Sequence, residues 1–214
     1  MSQSSRISTR LTSRHWLFVV GFITLLSTNA NATLLNSDFS AGFSGWFGDY
    51  TYYDISEDNN IDILGTTTFP TELYQLNGGG SVTLMTALYP TGDDEAWFVS
   101  LFQSFDVDTL LAPGNQLLLS LAVVGAGDIL GAQLVSDDLS KTLNLNGGGT
   151  FDITDWAGIS ATITFYVEDF DTFLGDSLTI SNLAITQVTR DVPEPSMFAL
   201  LALAGILALR RKLN

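Results

Sequence analysis

The sequence predicts an all-β protein, an antiparallel sandwich or barrel carried between two short apolar helices. Three observations lead there. From residue 33 to residue 190 apolar and polar residues alternate over short runs, and no long stretch keeps a helical period. Clusters of Gly, Asn and Asp punctuate those runs, as turns between strands require. The remaining apolar stretches, Trp16–Leu26 and Met197–Leu209, sit at the two extremities beside basic residues. The chain of 214 residues therefore divides into segments 1–32, 33–190 and 191–214, and the middle one is long enough for a single domain with a sizeable core.

Residues 1–32 have the three parts of a secretory signal peptide. Arg6, Arg10 and Arg14 supply the positive start, and WLFVVGFITLL is an apolar centre too short to stay as a membrane span. Ala30 and Ala32 occupy the Ala-x-Ala positions before Thr33. Such a segment directs the chain to the Sec translocon and is removed by signal peptidase.

Within the body the predicted strands are Tyr50–Ile55, Ser81–Leu88, Trp97–Val107, Gln116–Val124, Leu130–Val135, Ser160–Val167 and Ser177–Val188. Gln116–Val124 is almost uniformly apolar, which predicts a strand in mid-sheet buried on both faces. The phrase Leu-Asn-Gly-Gly-Gly begins at Leu76 and again at Leu145. Neither copy carries the Lys-Ser/Thr pair of a phosphate loop, so both read as loops of one kind, where glycine permits positive φ.

At the C-terminus, Met197–Leu209 contains no polar residue. As a helix it spans about 20 Å at ~1.5 Å per residue, against a hydrocarbon core of ~30 Å, unless snorkelling arginines extend it. Arg210, Arg211 and Lys212 set that tail in the cytoplasm and the body outside. Just before it stands Val192-Pro193-Glu194-Pro195-Ser196, which two prolines keep out of any helix interior and so extended.

Charge is distributed just as unevenly. The chain carries −15 overall, but the body holds only Lys141 and Arg190 against 21 carboxylates, a charge of −19. A surface of that sign excludes nucleic acid as a partner and disfavours anionic polymers, leaving a neutral polysaccharide or surface proteins. There is no cysteine, and the only histidine, His15, lies in the leading segment. That closes zinc, thiolate, Ser-His-Asp and Cys-His chemistry to the body, which is expected not to be an enzyme. The clusters Asp93-Asp94-Glu95, Asp106-x-Asp108, Asp137-Asp138 and Glu168-Asp169-x-Asp171 lack EF-hand spacing and read as solvated loop surface.

The order Pro193-Glu194-Pro195, apolar helix 197–209 and basic tail 210–214, together with the N-terminal signal, closely resembles the PEP-CTERM sorting signal. The resemblance implies recognition of Pro193, Glu194 and Pro195 by a membrane-embedded exosortase. The precursor would be held transiently in the inner membrane, then cut and moved to the cell surface or the extracellular space. It also implies a Gram-negative bacterium that makes an extracellular polysaccharide, as in a biofilm.

The body is similar to galactose-binding-like jelly rolls, which include carbohydrate-binding modules. Asn36, Asp38, Phe39, Gly45 and Trp46 match their opening pattern, and Ala157, Gly158, Ile163, Phe165, Asp176, Asn182 and Leu183 their closing one. The resemblance implies a jelly-roll sandwich whose first and last strands lie close together. Some jelly rolls of this kind hold a structural calcium ion between those strands, for which Asp38 and Asp176 are the candidate ligands here; no cofactor is certain, since Ser40 and Ser181 stand where the pattern often has further carboxylates. For a glycan, the candidate contacts are Tyr50 and Tyr52, which alternation puts on one face, and Trp97. Trp46 reads as core. The expected role is a non-catalytic structural or adhesive one, with a carbohydrate-binding module as the alternative.

Overall fold

A computed structural model describes residues 34–89, 92, 94–170 and 175–189. The expectations for Ala30 and Ala32, for Pro193, Glu194 and Pro195, for Arg210, Arg211 and Lys212, and for both flanking helices lie outside the described residues. Among the described residues no helix is long and apolar enough to cross a membrane.

Those residues form twelve strands: β1 (Phe47–Asp54), β2 (Asn59–Thr66), β3 (Tyr74–Leu76), β4 (Ser81–Met85), β5 (Ala87–Leu88), β6 (Glu95–Asp106), β7 (Asn115–Ala126), β8 (Ile129–Ser136), β9 (Thr142–Asn144), β10 (Gly149–Asp152), β11 (Ser160–Glu168) and β12 (Ser177–Thr189). They make two antiparallel sheets, one in the order β2-β1-β6-β11-β8-β9 with β5 beside β6, the other in the order β10-β7-β12-β4-β3. The body is thus a β-sandwich. From β4 onward the chain passes back and forth between the sheets, returning to the second at β7, β10 and β12.

Period-two alternation builds the core. Ala161, Ile163, Phe165 and Val167 of β11 and Leu117, Leu119 and Leu121 of β7 are buried, while the residues between them remain half-exposed or exposed. Each such Leu or Phe contributes roughly 1.5–3 kcal/mol by leaving water. β7 departs from the expectation of burial on both faces. Only one of its faces meets the opposite sheet, and Val124 on β7 is 71% exposed.

The stretch 81–88 is also not one strand. It parts at the buried Thr86, so that β4 belongs to one sheet and β5 to the other. Nor do the first and last strands adjoin: β1 pairs with β2 and β6, β12 with β4 and β7. Four strands went unpredicted. β2 is an edge strand with Asn and Asp on a largely exposed backbone, and β3, β9 and β10 are only three or four residues long.

Both Leu-Asn-Gly-Gly-Gly copies place three successive glycines at positive φ. Their connections differ: the first closes the β3–β4 hairpin, and the second carries the chain from one sheet to the other. At Gly148 the requirement is doubled, since a Cβ there would stand 2.8 Å from the Leu121 carbonyl oxygen.

One polar residue ties the sheets through the core. Tyr74, fully buried on β3, points its hydroxyl at the carbonyls of Asp49 (3.0 Å) and Ser100 (2.9 Å) on the opposite sheet. Gly48 admits it, because a Cβ there would lie 2.6 Å from that oxygen. Burial pushes the Tyr74 hydroxyl well above its ordinary pKa.

Candidate functional site

The opening pattern folds as a closed loop over residues 34–46. Asn36, at positive φ, donates from its amide to the carbonyls of Gly42 and Ser44 and accepts from Ala41 N–H. Asp38 accepts from the backbone N–H and hydroxyl of Ser40, and these two bonds, the backbone one first, hold its pKa below 3.8. Phe39 and Trp46 are buried with ring centroids 5.2 Å apart, and Trp46 lies 6.2 Å from Phe165. Gln103, buried on β6, fastens the loop: it accepts from Leu35 N–H and donates to the carbonyls of Leu35 and Gly45. The turn bonds of Asn36 and the buried rings of Phe39 and Trp46 thus close the loop onto the core.

Asp38 and Asp176 are therefore not brought together. The Asp38 backbone lies against Gly80, just before β4, whereas the Asp176 carbonyl accepts from Thr86 N–H, just after it. Six residues of strand at ~3.4 Å each separate those points by about 20 Å.

Asp176 instead joins Asp128 and Asp169, with carboxylate oxygens all within 4.8 Å of one another. Three passages between the sheets converge there. Asp128 lies in the turn from β7 to β8, Asp169 and Asp176 bracket the passage from β11 to β12, and Thr86 makes the step from β4 to β5. Thr86 Oγ1 accepts from the N–H groups of Gly175 and Asp176 and stands 3.5 Å from Asp169 Oδ2. Asp176 Oδ2 accepts from Asp128 N–H at 2.7 Å, and Asp128 Oδ2 from Phe170 N–H at 3.0 Å. Asp169 is only 6% exposed, which corrects its reading as solvated surface. Three like charges at this spacing repel, and an oxygen-only set of this kind suits a hard cation such as calcium.

The aromatic candidates divide. Tyr50 and Tyr52 do share a face, but it is the inner one. Tyr50 is 4% exposed, packs edge-on to Tyr74, and burial raises its pKa. Its ring belongs to the buried core between the sheets rather than to an exposed face. Tyr52 is half-buried and stacks on Tyr89 with ring centroids 4.0 Å apart. Trp97 is half-exposed at a bulge between β1 and β6, and its carbonyl accepts from Asp169 N–H, so it borders the carboxylate junction.

Sequence reasoning missed the outer face of the first sheet. There Phe47 stacks on Phe102 at 5.9 Å, Phe98 lies 6.4 Å from Tyr166, and Trp97 meets Phe98 edge-on. Phe98, Ser100 and Phe102 share that face by alternation, and the rings close over the Ser100 hydroxyl, which has no hydrogen-bond partner among the described residues. At another corner Lys141, the only Lys or Arg among the described residues, lies over the buried Trp156 ring at 5.8 Å and donates to the Asp155 carbonyl.

The geometry defines an acidic β-sandwich with a carboxylate junction at one pole and its last strand leading to the C-terminal segment at the other. That segment, residues 191–212, matches the family model of the PEP-CTERM protein-sorting motif. The motif implies an exported protein held transiently in the membrane, with exosortase as its processing partner. No curated protein matches the chain.

Proposed function

We propose that this chain is a non-catalytic structural or adhesive component of the cell surface or extracellular matrix, delivered there by exosortase processing. The observation that carries this is the sorting motif, whose match begins at residue 191, directly after β12 ends at Thr189. The repeated passage between sheets supports a jelly-roll body. The lack of His and Cys in that body supports a role without nucleophilic or zinc chemistry. Replacing Pro193, Glu194 and Pro195 together by Ala is expected to leave uncut precursor in the inner membrane, seen as a heavier band in the membrane fraction. Normal surface release of that variant would defeat the proposal.

A structural calcium ion fits this body at Asp128, Asp169 and Asp176 rather than at Asp38. These carboxylates would hold it, and its charge would turn their mutual repulsion into a clamp on three inter-sheet passages. The second function, recognition of a neutral polysaccharide, is favoured by the outer row of Phe47, Phe102, Phe98 and Tyr166. Absence of binding by the processed body across an array of neutral glycans removes it.

A further inference from the structure

We propose that the pole opposite the carboxylate junction is the surface the body presents to its processing enzyme. This rests on the exosortase reading and follows from where β12 ends. β12 stays in its ladder to the last residue, with Val188 opposite Gln116 and Thr189 opposite Asn115. Only Arg190, Asp191 and Val192 separate Thr189 from Pro193. Four steps of fully extended chain, at ~3.3–3.6 Å each, reach at most about 14 Å. A protein domain is about 30 Å across. An enzyme gripping Pro193, Glu194 and Pro195 is therefore held within about 14 Å of the pole.

The surface within reach is the loop joining β6 to β7 and the turn after β10. Leu111 is 46% exposed, and Ala112, Pro113, Gly114, Asp152 and Asp155 are exposed. A cleft of about 570 Å³ opens between loop and turn, lined by Leu110, Gly114, Asn115, Gln116, Asp152 and Thr154 among others. The loop is fixed relative to β12. Leu111 N–H donates to the side-chain oxygen of Gln187 on that strand at 3.0 Å, and Asn115 N–H donates to Ala112 O at 3.2 Å. It therefore does not move aside independently of β12. The carboxylate junction lies at the other end of β12, about 40 Å away at ~3.3 Å per residue.

The chain has no cysteine, so a single introduced one is labelled uniquely. Pro113→Cys places a label on the near pole; Val124→Cys, at a position 71% exposed, places one near the far pole. Each full-length precursor carries a bulky polyethylene-glycol maleimide, is incorporated into membrane vesicles containing the exosortase, and is followed for conversion to cut product. The near-pole conjugate is expected to be cut several-fold more slowly than the far-pole one. A long Gly/Ser linker after Thr189, whose reach grows with its length, is expected to abolish the difference. Equal rates without the linker overturn the proposal, as does a near-pole defect that the linker leaves intact. Failure of the unlabelled precursor to be cut at all is a different result: it removes the exosortase reading itself.

Discussion

In the loop of residues 34–46, Asn36 and Asp38 direct their polar atoms to partners within eight residues of chain, whereas Asp128 and Asp176 are joined across 48. The two clusters look alike as strings of small polar residues, and both fall at or between strand ends. One is a plug closed by short-range bonds, which Gln103 and its own aromatic members fasten to the core. The other exists only because three passages between sheets meet. A carboxylate satisfied by its own i+2 neighbour has little left to offer a cation. Three carboxylates brought within 4.8 Å by distant strands repel one another. The contrast marks the first as a device of folding and the second as the place where the proposed calcium ion is to be tested.

The largest expected effect lies in the plug. Trp46→Ala removes a 1%-exposed ring that contacts Phe39 and Phe165. Truncation of a buried Trp costs about 3–5 kcal/mol, a large share of the ~5–15 kcal/mol that holds a domain folded. Urea unfolding of the processed body measures it. A loss near zero would mean that the plug is an appendage and that the comparison has no energetic content.

The plug was legible only in part. Trp46 reads as core from the sequence, and it is buried, but the other matched residues were expected on a first strand and form a closed loop instead. Asn36, Phe39, Gly45 and Trp46 lie within eleven residues, and the role of each follows from turn chemistry or ring burial once the segment is closed. The strands with sustained alternation, such as β11, were legible because that signal is local, whereas β2, edge-on and bearing Asn59, Asn60 and Asp62, gave alternation no buried face to report. The carboxylate junction was not legible. Asp169 sits in an acidic run that resembles solvated loop, and Asp128 follows Gly125, Ala126 and Gly127 as any turn residue would. Only the pairings of Ile129 with Glu168 and of Ala126 with Ser177 bring those strand ends side by side. Asp176 was matched with Asp38, because a motif matched from two chain ends suggests adjacency, but the strands β1 and β12 entered different sheets and Asp176 lies with Asp128 and Asp169 instead. The same limit applies to Tyr50: alternation put it on a face with Tyr52 and could not say which side of the sheet was wet.

The next effect in size tests the junction. Calcium is expected to raise the melting temperature of the processed body and a chelator to reverse the rise. Binding to the folded state alone adds about 2.7 kcal/mol at a hundred times the Kd. Asp128→Asn, on the exposed side of the cluster, is expected to weaken the response while leaving the metal-free protein folded. A melting temperature indifferent to calcium would leave the junction as a purely structural meeting of loops held by Thr86 and backbone N–H groups.

The smallest expected effect returns to Asp38, and its value lies in what it leaves unchanged. Asp38→Ala removes two hydrogen bonds to Ser40 on the exposed side of the plug, so the melting temperature should fall far less than for Trp46→Ala. The loss should depend on pH in a fixed direction. Because the folded protein holds this carboxylate below its ordinary value of 3.8, its contribution is present above that pH and disappears as acid protonates it. Acid-unfolding curves of the two proteins should thus be separated above pH 3.8 and converge below it. The calcium response of Asp38→Ala should match that of the unsubstituted body, whereas that of Asp128→Asn should not. A response lost in Asp38→Ala and kept in Asp128→Asn would reverse the roles assigned to the two clusters, and would restore the opening loop as the place where a cation acts.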